Sequence, residues 1–247
     1  MKIIISFIFG LLLTVKVFGV SPDYPSIFAE DFTKALNVVN EIKGQVFAQC
    51  KLMSADAELI LPIVFPELLR YSLFRDSMEI VTMELFYISF GSGVNDFSVG
   101  IFQMKPSFVE RMENLVSTND AFKEFRNLLK YGNPQDLSAV RKERLSRLMK
   151  LQWQITYLLI FSKIALHFYP PKPDWTKEYM IRFYSCVYNT GFWRTEEFIR
   201  QTMELKIFPH GMGYIGEQYN YSDISVYFYE NYWKNMVKEW GKLNKSH

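Results

Sequence analysis

Along most of this chain apolar residues return every three or four positions, the spacing that lines one face of an α-helix, and no stretch sustains the alternation of a strand. From Glu30, the set Phe32, Leu36, Val39, Ile42, Val46 and Phe47 predicts an amphipathic helix to about Met53. The apolar segment Leu59 to Leu69 holds Pro62 and Pro66; a helix can begin at the first, and the second predicts a kink just before Glu67. Asp76 to Phe90 reads as a helix with Met78, Val81, Leu85 and Ile88 on one face, stopped by the turn formers Gly91 to Asp96. Pro106 suits the first position of a helix to about Leu115, and Ser117-Thr118-Asn119-Asp120 has capping spacing for another, Asn119 to Lys130.

After the turn Tyr131-Gly132-Asn133-Pro134, one long helix is expected from Ser138 to Phe168. Its charged first half (Arg141, Lys142, Glu143, Arg144, Arg147, Lys150) reads as a solvated face. Its apolar end, with His167 as a packed core histidine, reads as a buried helix rather than a membrane span. Tyr169-Pro170-Pro171-Lys172-Pro173 stops it; Asp174 or Thr176 can cap the next helix, which runs to about Val187, with Gly191 at the stop position. Further helices are expected over Thr195 to Leu205 and Ser222 to Leu243, the last lined with core aromatics Tyr227, Phe228, Tyr232, Trp233 and Trp240. The predicted fold class is mostly α.

The first residues have another pattern. Lys2, the apolar run Ile3 to Val15 and the small-residue site Val17-Phe18-Gly19 read as a cleavable secretory signal, too short to span a bilayer comfortably. The expected organisation is a signal peptide over 1–19, an N-terminal helical extension over 20–54 and a helical domain over 55–247, in a secreted or periplasmic protein. Export permits disulfides, so Cys50 and Cys186 can pair or remain as two buried thiols; spacing alone leaves both open. The balance of 28 Lys and Arg against 26 Asp and Glu gives no electrostatic reason to expect nucleic acid. With 3 His, 2 Cys and neither Cys-x-x-Cys nor His-Glu-x-x-His, no zinc site or other cofactor is expected.

Three segments carry candidate chemistry. In Asp96-Phe97-Ser98-Val99-Gly100-Ile101-Phe102-Gln103-Met104-Lys105-Pro106, Gly100 permits a tight bend, and the Gln103 amide can bind a polar ligand or satisfy the backbone of a buried loop. Glu67 lies in an apolar stretch, where a buried carboxyl can keep the proton a general acid donates, or can pair with nearby Arg70. Tyr188-Asn189-Thr190-Gly191 is either a helix cap or a hydroxyl and an amide facing a cleft.

In this order the segments resemble the lytic transglycosylases and goose-type lysozymes. Gly100-Ile101-Phe102-Gln103 matches that superfamily's Gly-Leu-Met-Gln signature, with Pro106 following, and Val187-Tyr188-Asn189-Thr190-Gly191 matches Ala-Tyr-Asn-Ala-Gly. Leu61-Pro62-Ile63-Val64-Phe65-Pro66-Glu67 is similar to the family's Leu-Pro-Ile-Val-Glu-Ser context, with two residues inserted before the acid. The resemblance covers Leu59 to Gly191 and implies a lysozyme-like fold. It also implies cleavage of the bond between N-acetylmuramic acid and N-acetylglucosamine, with Glu67 as general acid and base. Ser98, Gly100, Gln103, Tyr188 and Asn189 would then line the substrate cleft and Tyr71 would stack on a sugar. Asp96 is a possible second acid, needed for hydrolysis with inversion but dispensable where the sugar's own substituents close a 1,6-anhydro product. The interval from Glu67 to Gln103 is longer than the family usually shows, which makes Glu79 and Glu84 rival acids. The expected partners are peptidoglycan strands, with a cell-envelope protein left open, and the protein itself is expected to be a monomer. The alternative is an inactive glycan-binding or scaffold protein that keeps the cleft.

Overall fold

The computed structural model describes residues 22–74, 80–94 and 96–243; the leader expected over 1–19 lies outside them, as does Glu79. In chain order the elements are α1 (Tyr24–Leu52), α2 (Ala57–Phe74), α3 (Ile80–Phe90), α4 (Pro106–Thr118), α5 (Leu137–Leu148), α6 (Leu151–Phe168), α7 (Lys177–Thr190), α8 (Glu196–Thr202), β1 (Lys206–Phe208), β2 (Tyr219–Asn220), α9 (Tyr221–Phe228) and α10 (Lys234–Leu243). The fold is mostly α, with β1 and β2 forming one short antiparallel pair. Among the described residues no helix is long and apolar enough to cross a membrane.

Helix α2 is apolar all round, and a helix of that kind has to be covered on every side. It is: α1, α7 and α9 all pack on it, and Ile60 to Leu69 are buried without a gap. Phe65 stacks on Phe228 of α9 at 4.0 Å between ring centres, and meets Phe32 of α1 at 5.4 Å. This burial explains why α2 starts at Ala57 rather than Pro62 and holds both prolines inside the helix. Each proline removes one backbone donor, leaving the carbonyls of Glu58 and Pro62 without their usual partners; the surrounding core outweighs that loss. Phe47 of α1 is sandwiched between Trp233 and Trp240, at 4.9 and 4.7 Å, so α1 shares one core with the aromatic C-terminal helices. The N-terminal helix is interrupted at Ala29, whose φ is +44°, so regular helix begins at Glu30, where the periodicity starts.

Several expectations need correction. The single helix expected over Ser138 to Phe168 is two, broken at Met149 and Lys150 with no Gly or Pro to announce it. Asn119 to Lys130 holds only a 3-10 segment, Asp120–Phe125, entered by the Asn119 side chain accepting from Ala121 N. The last helix is divided by a π-turn at Tyr229–Trp233, where the buried Trp233 Nε1 donates to the Ala57 carbonyl at 2.8 Å. His167 is exposed, with its ring edge on Phe122 at 5.1 Å, and is not core. Cys50 and Cys186 are both free and buried, and burial pushes each thiol up to about 12.

The charged half of the helix expected from Ser138, largely α5, is only partly a solvated face: Lys142 and Lys150 are exposed, but Arg144 and Arg147 are not. Arg144 is buried and donates to Glu113 at 2.8 Å, to Glu110 at 3.0 Å and to the Tyr87 hydroxyl at 2.8 Å. The Tyr131 and Tyr157 hydroxyls donate to the other Glu113 oxygen. Arg147, also buried, donates to the carbonyls of Leu129 and Lys130 and to Glu143, with the rings of Tyr131 and Trp153 against its guanidinium. The acids lie one turn apart on α4 and face α5, an arrangement that the charge run on α5 could not disclose.

Candidate active site

Val99 and Met104 exchange two backbone hydrogen bonds, at 3.0 and 3.1 Å, closing a tight hairpin around Gly100 to Gln103. Gly100 has φ +70°, and a β-carbon there would come within 2.2 Å of the Gln154 amide. That amide approaches because Gln154 Oε1 accepts from Phe102 N at 3.1 Å, pinning the hairpin to α6. The Tyr188 hydroxyl donates to the Phe102 carbonyl at 2.7 Å, pinning the same residue to α7. Gln103 sits at φ +50°, held by its own Nε2 donating to the Gly100 carbonyl at 2.7 Å. Two of the three segments are thus fastened together through the Phe102 backbone.

The third segment arrives on α2. Glu67 is buried, and one nitrogen of Arg70 donates to both of its carboxylate oxygens at 2.7 Å. Arg70 is itself fixed: Nε donates to the Pro209 carbonyl at 3.2 Å, and its guanidinium lies against the rings of Phe208 and Tyr221 at 5.1 and 5.9 Å. Burial works against the Arg70 charge, but Glu67 and then Tyr221 more than offset it, and its value is raised. The Tyr221 hydroxyl is buried beside Glu67 without a well-aligned hydrogen-bond partner. Burial first, and the Glu67 charge second, push the Tyr188 and Tyr221 hydroxyls well above the usual phenol range, so both stay protonated donors.

Glu67, Arg70, Gln103 and Tyr188 all line one cavity of about 360 Å³, with Tyr221 and Phe102 outside its lining. Of the residues singled out in the sequence, Glu67, Asp96, Ser98, Gln103, Tyr188 and Asn189 line it. Gly100 and Tyr71 do not: Gly100 serves the hairpin and its contact with Gln154, and Tyr71, half-buried on α2, is outside the lining. Tyr188 gives its proton to the hairpin carbonyl, so it positions the loop rather than the acid. Asp96 uses one oxygen to accept from Ser107 N at 3.0 Å and the other from Ser107 Oγ at 2.7 Å, binding the start of α4. Glu84, on α3, also lies outside the lining; burial raises its carboxyl above the ordinary range.

The sequence reading did not single out Tyr221, Pro209 or Trp193. Tyr221 opens a helix whose aromatic run reads as core, and Pro209 acts through its carbonyl, which no side-chain pattern reports. Trp193 lines the cavity just beyond Gly191, where the matched segment ends. Chemically the site offers two carboxylates, Glu67 paired with Arg70 and Asp96 engaged by Ser107, with the Gln103 amide and the Ser98 hydroxyl on the walls; the Tyr188 proton is committed to the hairpin, and Tyr221 lies beside Glu67 outside the lining. Among the described residues no cluster of three or more His, Cys, Asp or Glu side chains is arranged to hold a metal ion. No family model, curated protein or solved structure matches the chain.

Proposed function

We propose that this chain is an exported enzyme with a lysozyme-like fold that cleaves the peptidoglycan bond between N-acetylmuramic acid and N-acetylglucosamine, with Glu67 as its single general acid and base. One observation carries the reading: three segments far apart in sequence meet around one cavity, with a buried carboxylate in its wall. Glu67 would give its proton to the leaving glycosidic oxygen as the bond to the muramic C1 breaks. The muramic C6 hydroxyl would then attack C1 and return its proton to Glu67, closing a 1,6-anhydro ring. Arg70 would hold the carboxylate that exists between those two transfers, and must let one oxygen go for that oxygen to meet the substrate. Both Asp96 oxygens are engaged by Ser107, which favours this single-carboxylate route over inversion with a second acid.

A second reading, an inactive glycan-binding or scaffold protein of the cell envelope, is favoured by the same contact of Arg70, which occupies both Glu67 oxygens. Digestion of purified peptidoglycan, with mass spectrometry of the released muropeptides, separates the two. The enzyme reading expects anhydromuropeptides from the mature protein and a rate lower by about 10²- to 10⁴-fold with Glu67→Gln. Reducing-end products would reopen Asp96, and a folded protein that releases nothing would leave the binding reading.

A further inference from the structure

We propose that a second cavity, on the far side of Trp193, binds a carboxylate-bearing substituent of a glycan strand whose sugar ring lies across Trp193. The cavity measures about 550 Å³ and is walled by the second half of α4, the end of α6 and the turn that follows Gly191. Trp193 lines both this cavity and the one holding Glu67, so a ligand in one can continue into the other over a single indole.

The indole is set in place. Gly191 has φ +105°, and a β-carbon there would fall 2.5 Å from the Trp193 ring, so the ring folds back over a backbone that only glycine leaves bare. Phe108 and Phe192 support it at 5.8 and 5.1 Å between centres. The buried Tyr169 hydroxyl donates to the carbonyls of Phe192 and Arg194, fixing the turn on both sides of Trp193. An indole held this way and 40% exposed offers apolar surface against which a sugar ring can pack.

The charge beyond it is one-sided. Arg111 lies over the Trp193 ring at 4.5 Å, and Arg194 against Phe198 at 5.0 Å. Among the described residues neither guanidinium is in an ion pair, whereas the one acid of the cavity, Glu196, is held by Lys172 at 2.7 Å and Arg200 at 2.6 Å. Two cations aligned by aromatic rings, beside an acid already neutralised, suit a carboxylate, which a guanidinium can grip through two hydrogen bonds. On the peptidoglycan reading that carboxylate belongs to the lactyl group of muramic acid or to the peptide attached there.

This inference rests on the proposed glycan substrate, and the test keeps the two apart. Calorimetry would compare binding of an uncharged N-acetylglucosamine tetramer with that of an alternating N-acetylglucosamine/N-acetylmuramic acid tetramer, using Glu67→Gln to prevent turnover. The charged tetramer should bind about tenfold more tightly. Adding Arg111→Gln with Arg194→Gln should abolish that advantage, so that the charged and uncharged tetramers bind this variant equally. Trp193→Ala should weaken both probes by about tenfold, and Trp193→Tyr should restore most of the loss. A third probe, the alternating tetramer with peptides amide-linked to its lactyl groups, distinguishes the source: retained Arg-dependent affinity assigns the peptide carboxylates, and a fall to the uncharged level assigns the lactyl group. Equal affinity for charged and uncharged tetramers, no binding of either, or an advantage that survives the arginine substitutions overturns the inference. Cleavage of peptidoglycan with no arginine-dependent preference would sink this inference alone. Arginine-dependent binding without cleavage would sink only the enzyme reading.

Discussion

Two arginines, the buried Arg144 and the half-buried Arg70, each face carboxylate, and the difference between their surroundings separates a fastening from a reactive site. Arg144 meets two acids and the Tyr87 hydroxyl, and Glu113 receives two tyrosine protons besides. Arg144, Glu110, Glu113 and Tyr87 each bind at least two other members of this cluster. Glu67 has one cation, Arg70, and a cavity on its open side. Redundant partners make a charge cluster structural, because no single departure frees a reactive group. A lone partner beside a cavity leaves a carboxylate that substrate can reach and whose proton balance it can alter.

The largest expected effect therefore lies away from the cavity. Arg144→Met leaves Glu113 buried with only phenol donors, and removing one side of a buried ion pair costs about 3–5 kcal/mol. For a chain of this size the melting temperature should drop by roughly 10 °C. Glu67→Gln should cost clearly less, about 1–2 kcal/mol, because the Gln amide oxygen can still accept from Arg70, which keeps its bond to Pro209 and an exposed edge on the cavity. Urea unfolding of the two variants side by side is the check. Equal losses would erase the distinction between closed cluster and open pair.

How far this was legible in the sequence follows the same division. Helix periodicity found α4 and α7 closely, because their apolar stripes, Pro106 at one start and the Thr176 cap at the other are local signals. The three motif segments foretold a shared cavity, and Gly100 and Gly191 mark positions where positive φ and a close side chain both require glycine. The start of α2 eluded the reading, because Pro62 looks like a first helical position and only the tertiary surroundings sustain the turn before it. The burial of Arg144 and Arg147 was invisible for a related reason: it depends on acids and carbonyls from other helices, and spacing within α5 carries no information about them. Arg70 could be suspected as a partner of Glu67 from its place one turn along. Tyr221 and the Pro209 carbonyl could not, since only the chain's return past the β1–β2 pair brings them to α2.

A smaller effect sharpens the comparison from inside the cavity. Tyr188→Phe removes the hydroxyl that donates to the Phe102 carbonyl and leaves that buried acceptor unpaired, at about 1–3 kcal/mol. Because this bond positions the hairpin and not the acid, the substitution should reduce stability and glycan affinity together while leaving the pH profile of any cleavage unchanged. Binding of the N-acetylglucosamine tetramer, followed with thermal melting, reads both. A variant with native stability and an altered pH profile would assign Tyr188 to the acid instead.

The smallest effect belongs to a third cluster, the exposed group of Glu196 with Lys172 and Arg200. Hydrogen bonds from Lys172 and then Arg200 hold the Glu196 carboxyl below its ordinary value of 4.5. A carboxyl whose folded value is depressed contributes stability above its unfolded value and loses it as pH falls through the folded one. Glu196→Gln should thus lower stability slightly at neutral pH and flatten its dependence on pH only below about 4.5. Solvent screens this group, so the change should be well short of that for Arg144→Met, and it should shrink further in high salt. Melting curves from pH 7 down to 3, at low and high ionic strength, would test it. A salt-insensitive loss as large as that of the buried cluster would mean that exposure, and not redundancy of partners, fails to rank these three sites.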